Sequence, residues 1–210
     1  MSNNNLICYK PSVTRQRREL QNGHKAVVLW FTGLPSSGKS TLAHAVEEKL
    51  HQMGCRTFVF DGDNVRQGLC SDLNFSKEDR TENIRRIGEM SKLFIEAGVI
   101  ALNAFISPFR SDRRWLRELY NNEDFIEIFC NCSVEICAQR DPKGHYDKAK
   151  KGKLKEFTGV SSPYEIPEYP EIKLNTDKLT LKDCMDVVIK YLLEKGVISI
   201  KDIDKQNVIR

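Results

Sequence analysis

Between a short apolar run, Ala26 to Phe31, and an amphipathic stretch that begins near Leu42 stands Gly33-Leu34-Pro35-Ser36-Ser37-Gly38-Lys39-Ser40, followed by Thr41. This is a complete G-x-x-x-x-G-K-S sequence in a strand-then-helix setting. Glycines permit the tight turns that let successive amides face phosphate oxygens. The helix that follows adds unpaired N–H groups and the positive end of its dipole. Lys39 can then reach β- and γ-phosphates, and the Ser40 hydroxyl can coordinate Mg²⁺. A glycine-bearing turn that binds nothing does not explain all four defining residues in this context. The loop alone does not separate a kinase from a GTPase or a motor ATPase.

The rest of the chain reads as alternating strands and helices. Leu42, Val46, Leu50 and Met53 mark a helix that Gly54 can end, and Arg56 to Phe60 reads as a strand finishing at Asp61. Ser76 caps a long helix with Asp79 three residues on; Ile84, Ile87, Met90, Phe94 and Ala97 form its apolar stripe before Gly98. Val99 to Ile106 is a third strand, interrupted by the polar Asn103, and Phe125 to Cys130 a fourth. Helices are expected over Asp112 to Tyr120, Val134 to Gln139 and Leu181 to Leu193, the last capped by Thr180, with a final strand at Ile172 to Leu174. The expected fold class is α/β: a P-loop nucleoside-triphosphate hydrolase/kinase fold, with a mostly parallel sheet, helices on both faces and a mobile basic lid. Residues 1–25 read as a loose arm or one short helix, and residues 26–210 as the kinase domain, with the lid over about 141–163.

Composition narrows the classes. A chain of 210 residues suits one domain, and 40% hydrophobic with 30% charged residues suits a soluble one. No run of about 18 apolar residues or secretory signal is visible, so a cytoplasmic protein without membrane contact is expected. The seven cysteines are odd in number and lack a C-x-x-C pair, so they read as core or surface thiols. Charge is concentrated: Arg140 to Lys155 holds seven Lys or Arg against two Asp.

Several residues are candidates for chemistry. Asp61 and Asp63 fall where the second parallel strand should reach the ligand edge, and carboxylates there can hold Mg²⁺ through water or accept a hydroxyl proton. An Asp-Gly-Asp turn is an equal reading of Asp61-Gly62-Asp63. Arg66 follows closely, and Arg80 and Asn83, three residues apart, share a helix face suited to a planar anion. Arg140 is a candidate platform for the adenine of ATP, with Thr176 closing the other side.

Five stretches, "FTGLPSSGKST", "DGDNVRQGLCSDLNFSKEDRTENIRRI", "AFISPFRSDR", "RDPKGHYDKAKKGKLKEFTGVSSPYE" and "PEIKLNT", resemble the adenylylsulfate kinase family in type and order, from about His24 to Thr176. The resemblance implies ATP-dependent 3′-phosphorylation of adenosine 5′-phosphosulfate in sulfate assimilation, with Mg²⁺, by a homodimer. It also implies a possible functional link to ATP sulfurylase and no nucleic-acid partner. It places Asp63, Arg66, Arg80 and Asn83 at the adenylylsulfate site and makes Phe75 and Phe157 an aromatic pair around its adenine. Ile106 and Ser107 lie near the substrate, and Lys143 is similar to a lid lysine that approaches the phosphates. A phosphoserine intermediate at Ser107 is part of what the resemblance suggests. The chemistry favours direct transfer, with Lys39 and Asp63 acting on the reactants, because no base adjoins Ser107 in sequence. Pro35 in the phosphate loop and Asn103 depart from the family pattern. A kinase of another small nucleotide-like metabolite, or a nucleotide-dependent nucleic-acid-binding protein, remains an alternative from the residues alone.

Overall fold

The computed structural model of the chain describes residues 9–121 and 123–199. The first part of the expected arm and the end of the expected domain, 1–8 and 200–210, lie outside the described residues. The apolar run forms the central strand, β1 (Val28–Thr32), buried at every position. It pairs with β3 (Ile100–Ala104) and β4 (Phe125–Asn131), and these pair in turn with β2 (Thr57–Asp61) and β5 (Ile172–Asn175). All pairings are parallel, in the order β2-β3-β1-β4-β5.

Alternation along β1 divides the core in two. Leu29 and Phe31 join the cluster under α2 (Lys39–Gln52) and α8 (Leu181–Glu194), which includes Leu42, Val46, Leu50 and Val188. Val28 and Trp30 join the opposite cluster, under α4 (Lys77–Glu96) and α5 (Arg110–Leu119), with Ile84, Ile87 and Leu116. Because both faces are covered, β1 needs apolar residues on both, and this is why it reads as a continuous run instead of an alternating one.

Capping follows the expected chemistry. The Ser76 hydroxyl accepts the Asp79 amide at the start of α4, and Thr180 and Asp183 form a reciprocal capping box on α8. The N-terminal region contains α1 (Arg15–Asn22), and it is bound to the sheet: Arg15 donates to both Asp124 carboxylate oxygens at 2.6 and 2.7 Å.

Three details differ from the sequence expectation. β3 ends at Ala104 instead of Ile106, because the chain turns out of the sheet before Ser107, whose φ is +40°. The basic segment, read from the sequence only as a lid, has a helix of its own, α7 (His145–Lys150), entered through left-handed Gly144. Asn103 is buried in β3 without penalty, since its side-chain oxygen accepts a 2.9 Å bond from the Ser91 hydroxyl on α4. Two short helices, α3 (Gly62–Val65) and α6 (Val134–Arg140), follow β2 and β4. No helix among the described residues is long and apolar enough to cross a membrane. Cys70, Cys130, Cys132, Cys137 and Cys184 are buried as free thiols.

Candidate active site

A cavity of about 1000 Å³ opens at the carboxyl ends of the strands. Its floor is the turn from β1 into α2. Gly33 sits so close to β4 that a Cβ would stand 2.6 Å from the Cys130 carbonyl oxygen. Ser36 and Gly38 are left-handed, with φ of 60° and 92°, a geometry that tilts loop amides to one side. Pro35, Ser36, Gly38, Lys39, Ser40 and Thr41 line the cavity. Gly33, Leu34 and Ser37 do not. Leu34 borders a separate cavity behind the loop, and Ser37 is fully buried, so any part these residues have in binding belongs to their backbone.

Lys39 is 8% exposed, and its ammonium donates to the Leu34 carbonyl at 2.6 Å. Burial lowers its pKa; Asp61 and Asp63 are among the groups that oppose that shift. An ammonium so placed lacks a full counter-charge, which phosphates would supply. The Ser40 hydroxyl donates to Asp61 Oδ2 at 2.5 Å, while Asp61 Oδ1 accepts the Asp63 amide at 2.9 Å. Asp-Gly-Asp is therefore a turn that caps α3 and also a carboxylate set facing the phosphate loop. The turn is seen directly, and both carboxylates line the cavity beside the phosphate loop.

The other wall carries Arg66, Phe75, Arg80 and Asn83. The Arg66 guanidinium lies 4.4 Å from the centroid of Phe75, and that of Arg80 lies 5.9 Å from it. Arg66 donates to the carbonyls of Leu73 and Asn74; Arg80 donates to those of Phe75 and Glu156 and to the Thr158 hydroxyl. These partners are neutral, so the pair keeps its positive charge for the cavity. Burial lowers the pKa of each, and Arg66 lowers that of Arg80 further. Asn83 is buried, and its side-chain oxygen has no hydrogen-bond partner. Phe75 is 59% exposed, too open for a core residue, and Phe157 lines the same cavity from the lid.

The lid is tied down at several points. The Lys143 ammonium pairs with Asp63 Oδ2, and this contact raises the lysine pKa. The Tyr146 hydroxyl donates to the Pro35 carbonyl at 3.0 Å, and Phe157 packs edge-on against Tyr146 at 4.9 Å. Pro35 thus gives up an amide donor, yet its carbonyl anchors the lid. At the far end Arg140 donates to the Thr176 carbonyl at 2.9 Å, and the Thr176 hydroxyl donates to the Ser37 carbonyl at 2.8 Å. Arg140 and Thr176 border the cavity beside Leu179 and Leu181.

Ile106 and Ser107 complete the lining, but Ser107 is only 2% exposed. Its hydroxyl accepts from Trp30 Nε1 at 3.0 Å and donates to the Thr32 hydroxyl at 2.9 Å; Thr32 donates onward to the Ile106 carbonyl. Neither partner is a base. Sequence reasoning missed Thr32, Trp30 and Tyr146, because each sits in a segment that reads as ordinary core or lid. Arg85 and Arg86, by contrast, pair with Glu82 and Asp72 outside the cavity, as their positions on α4 suggest.

Comparisons with known proteins converge on one group. A family model described as adenylylsulphate kinase matches residues 25–175. The adenylyl-sulfate kinase of Acaryochloris marina is 58% identical over 198 residues, covering 94% of this chain and 97% of that protein. That of Thermodesulfovibrio yellowstonii is 55% identical over 194 residues, covering 92% and 97%. The structure of the Mycobacterium tuberculosis APS kinase in complex with AMPPNP and APS superposes with a TM-score of 0.77 at 40% identity, covering 80% of this chain and 98% of that one.

The approach of Gly33 to Cys130 yields a direct test of the cavity floor. Gly33→Ala puts a methyl group where the φ of 155° and the 2.6 Å approach to a backbone oxygen leave no room, so the loop must move. The expected result is ADP binding weakened at least about tenfold in titration calorimetry, equivalent to about 1.4 kcal/mol. Unchanged affinity would show that the loop does not hold the nucleotide.

Proposed function

The chain belongs to the adenylylsulphate kinase family, and we propose that its cavity transfers the γ-phosphoryl group of ATP directly to the 3′-hydroxyl of adenosine 5′-phosphosulfate. The products are 3′-phosphoadenylylsulfate and ADP. One observation carries this reading: a buried phosphate-loop lysine, a strand-end carboxylate and an unneutralised arginine pair line one cavity.

ATP lies with its phosphates on the loop amides and Lys39, and with its adenine between Arg140 and Thr176. Adenylylsulfate lies opposite, its adenine between Phe75 and Phe157 and its anionic groups at Arg66 and Arg80. Asn83 offers its unpaired oxygen to the same ligand. Ile106 borders the substrate. Asp63 orients the 3′-hydroxyl and takes its proton as the oxygen attacks phosphorus, while Lys39 offsets charge on the transferring group. Lys143 holds Asp63 in place from the lid and turns to the phosphates as they arrive. The hydroxyl of Ser40 and the carboxylate of Asp61, oxygen donors that lie together at the phosphate loop, would hold Mg²⁺. When bound, Mg²⁺ supplies charge neutralisation on the β- and γ-phosphates.

The stretch 26–210 is read as the kinase domain, its last residues 200–210 lying outside the described ones, and 141–163 as its lid. The chain works in the cytoplasm as a homodimer. The exposed Phe58 on β2, an edge strand among the described residues, with its ring tilted against Phe60 and Phe94, supports such an interface. Light scattering of the purified protein is expected to give a dimer mass; a monomer at micromolar concentration would refute the pairing. Adenylylsulfate has to be made by adenylation of sulfate, so ATP sulfurylase is the functional neighbour that this chemistry requires.

The activity is tested by incubating the enzyme with ATP and adenylylsulfate, AMP or adenosine, and identifying products by mass spectrometry. Adenylylsulfate is expected to give the 3′-phosphorylated product with a specificity constant at least about a hundredfold above AMP, the scale of losing charge-assisted contacts to one anionic group. Comparable constants would remove the sulfate-recognition role of Arg66 and Arg80. Activity on an unrelated metabolite alone would replace the substrate.

Direct transfer has its own check. The bonding of the Ser107 hydroxyl to Trp30 and Thr32 leaves no base to activate it, which supports a positioning role. Ser107→Ala is expected to keep measurable transfer, and rapid quench with γ-labelled ATP to show no labelled protein. A labelled Ser107 that forms and decays at the turnover rate would defeat direct transfer.

A further inference from the structure

Three arginines on α5, Arg110, Arg113 and Arg117, follow at spacings of three and four and so share one face. All three grip the strap that returns from the lid to β5. Arg110 donates to the Ile166 carbonyl at 2.8 Å, and its backbone amide, at the start of α5, donates to the Glu165 carboxylate at 2.6 Å. Arg117 holds both carboxylate oxygens of Glu171. Arg113 lies between them and is different in kind.

Arg113 is 3% exposed, the most deeply buried cation among the described residues. One edge of its guanidinium donates to the Ser107 carbonyl and another to the Glu165 carbonyl, each at 2.5 Å. Its Nε stands 2.8 Å from Glu127 Oε1 on β4, an ion pair without hydrogen-bond alignment, and its face lies 5.7 Å from the Tyr164 ring. Tyr164 in turn bonds the Thr32 hydroxyl that receives Ser107, at 3.0 Å. Both ends of this arrangement converge on Ser107, a non-glycine residue at φ +40°. That conformation is costly and persists only where its surroundings hold it. A surface ion pair would not need such burial, and a plain packing role would not need two aimed hydrogen bonds beside the ion pair.

We infer that Arg113 is a positioning residue for the phosphoacceptor: through one rigid guanidinium it fixes the Ser107 turn at the cavity and the lid's return strap relative to each other. Its effect therefore falls on the adenylylsulfate side of the cavity, bordered by Ile106, Ser107 and the lid, and not on the phosphate loop. Lysine cannot replace it, because one ammonium cannot donate along the same fixed fork.

The inference rests on the phosphotransfer reading above. Two variants test it. Arg113→Lys keeps a cation for Glu127, and the double change Arg113→Met with Glu127→Gln leaves no buried charge unpaired. Each is compared with the wild-type full chain for KM of adenylylsulfate, KM of ATP, kcat, thermal midpoint and hydrogen exchange. Expected is a rise of at least about tenfold in KM for adenylylsulfate with KM for ATP within about threefold, the split that marks loss at one substrate. The Glu165 amide, bonded to the Pro108 carbonyl at 2.9 Å, is expected to exchange faster in both variants. A merely structural role predicts instead that both KM values track the thermal midpoint together. An unchanged KM for adenylylsulfate, an equal change for both substrates, or failure of both variants to fold would overturn the inference. Should the wild type leave adenylylsulfate untouched, the functional reading fails on its own. Exchange at Glu165 then decides this point, faster in both variants if Arg113 positions the strap and unchanged if it does not.

Discussion

A lysine ammonium almost out of water, held by a single backbone carbonyl, sets the terms for everything around it. Lys39 is kept there by the loop it belongs to, and the loop is kept by Gly33, which alone can rest against the Cys130 carbonyl. The ammonium is costly to bury without a full counter-charge, and the neighbouring Asp61 and Asp63 offset only part of that cost. In the proposed function, phosphate oxygens supply the remaining counter-charge.

The parallel sheet explains how remote segments reach this point. Parallel strands all end on the same edge, so the loops after β1, β2, β3 and β4 meet there although they are far apart in sequence. β1 supplies the phosphate loop, β2 the Asp61 turn, β3 the Ser107 turn and β4 the approach to the lid. The segment 141–163 and the strap that follows it are fastened to three of these: Tyr146 to Pro35, Lys143 to Asp63, and Glu165 through Arg113 to Ser107. These bonds join that segment to the phosphate loop and to both strand-end turns. Arg80 adds a fourth tie through Glu156 and Thr158, and it is itself a ligand candidate. An anion that draws Arg80 inward would pull on the lid directly.

Ser107 shows how one residue type can be read in opposite ways. A serine at a strand end beside a phosphate site suggests a nucleophile. Its hydroxyl lies instead in a buried chain from Trp30 to Thr32 to the Ile106 carbonyl, with every hydrogen committed. A proton leaving that oxygen would have no base to receive it.

The strands, the main helices and the phosphate loop were legible in the chain because they rest on short-range rules. Period-two and period-3.6 burial, Ser76 and Thr180 as caps, and glycine at a turn too tight for a side chain all operate within a few residues. Of the residues that line the cavity, motif spacing, strand-end position and a shared helix face name Lys39, Ser40, Asp61, Asp63, Arg80 and Asn83, whereas Phe75, Phe157, Ile106, Ser107 and Lys143 were named only through the family resemblance. The end of β3, the helix within the lid, and the partners of Ser107 were not legible. Ser107 meets Thr32 across 75 residues and Trp30 across 77, and Arg113 meets Glu165 across 52. No local pattern encodes such pairs, because a buried polar group takes whichever partner the packed sheet brings within reach. The sequence by itself determined which elements form and which residues stand at the ligand edge. Only the tertiary structure decided which of those residues are free to act and which are held, since that depends on the hydrogen bonds left over once the core has closed.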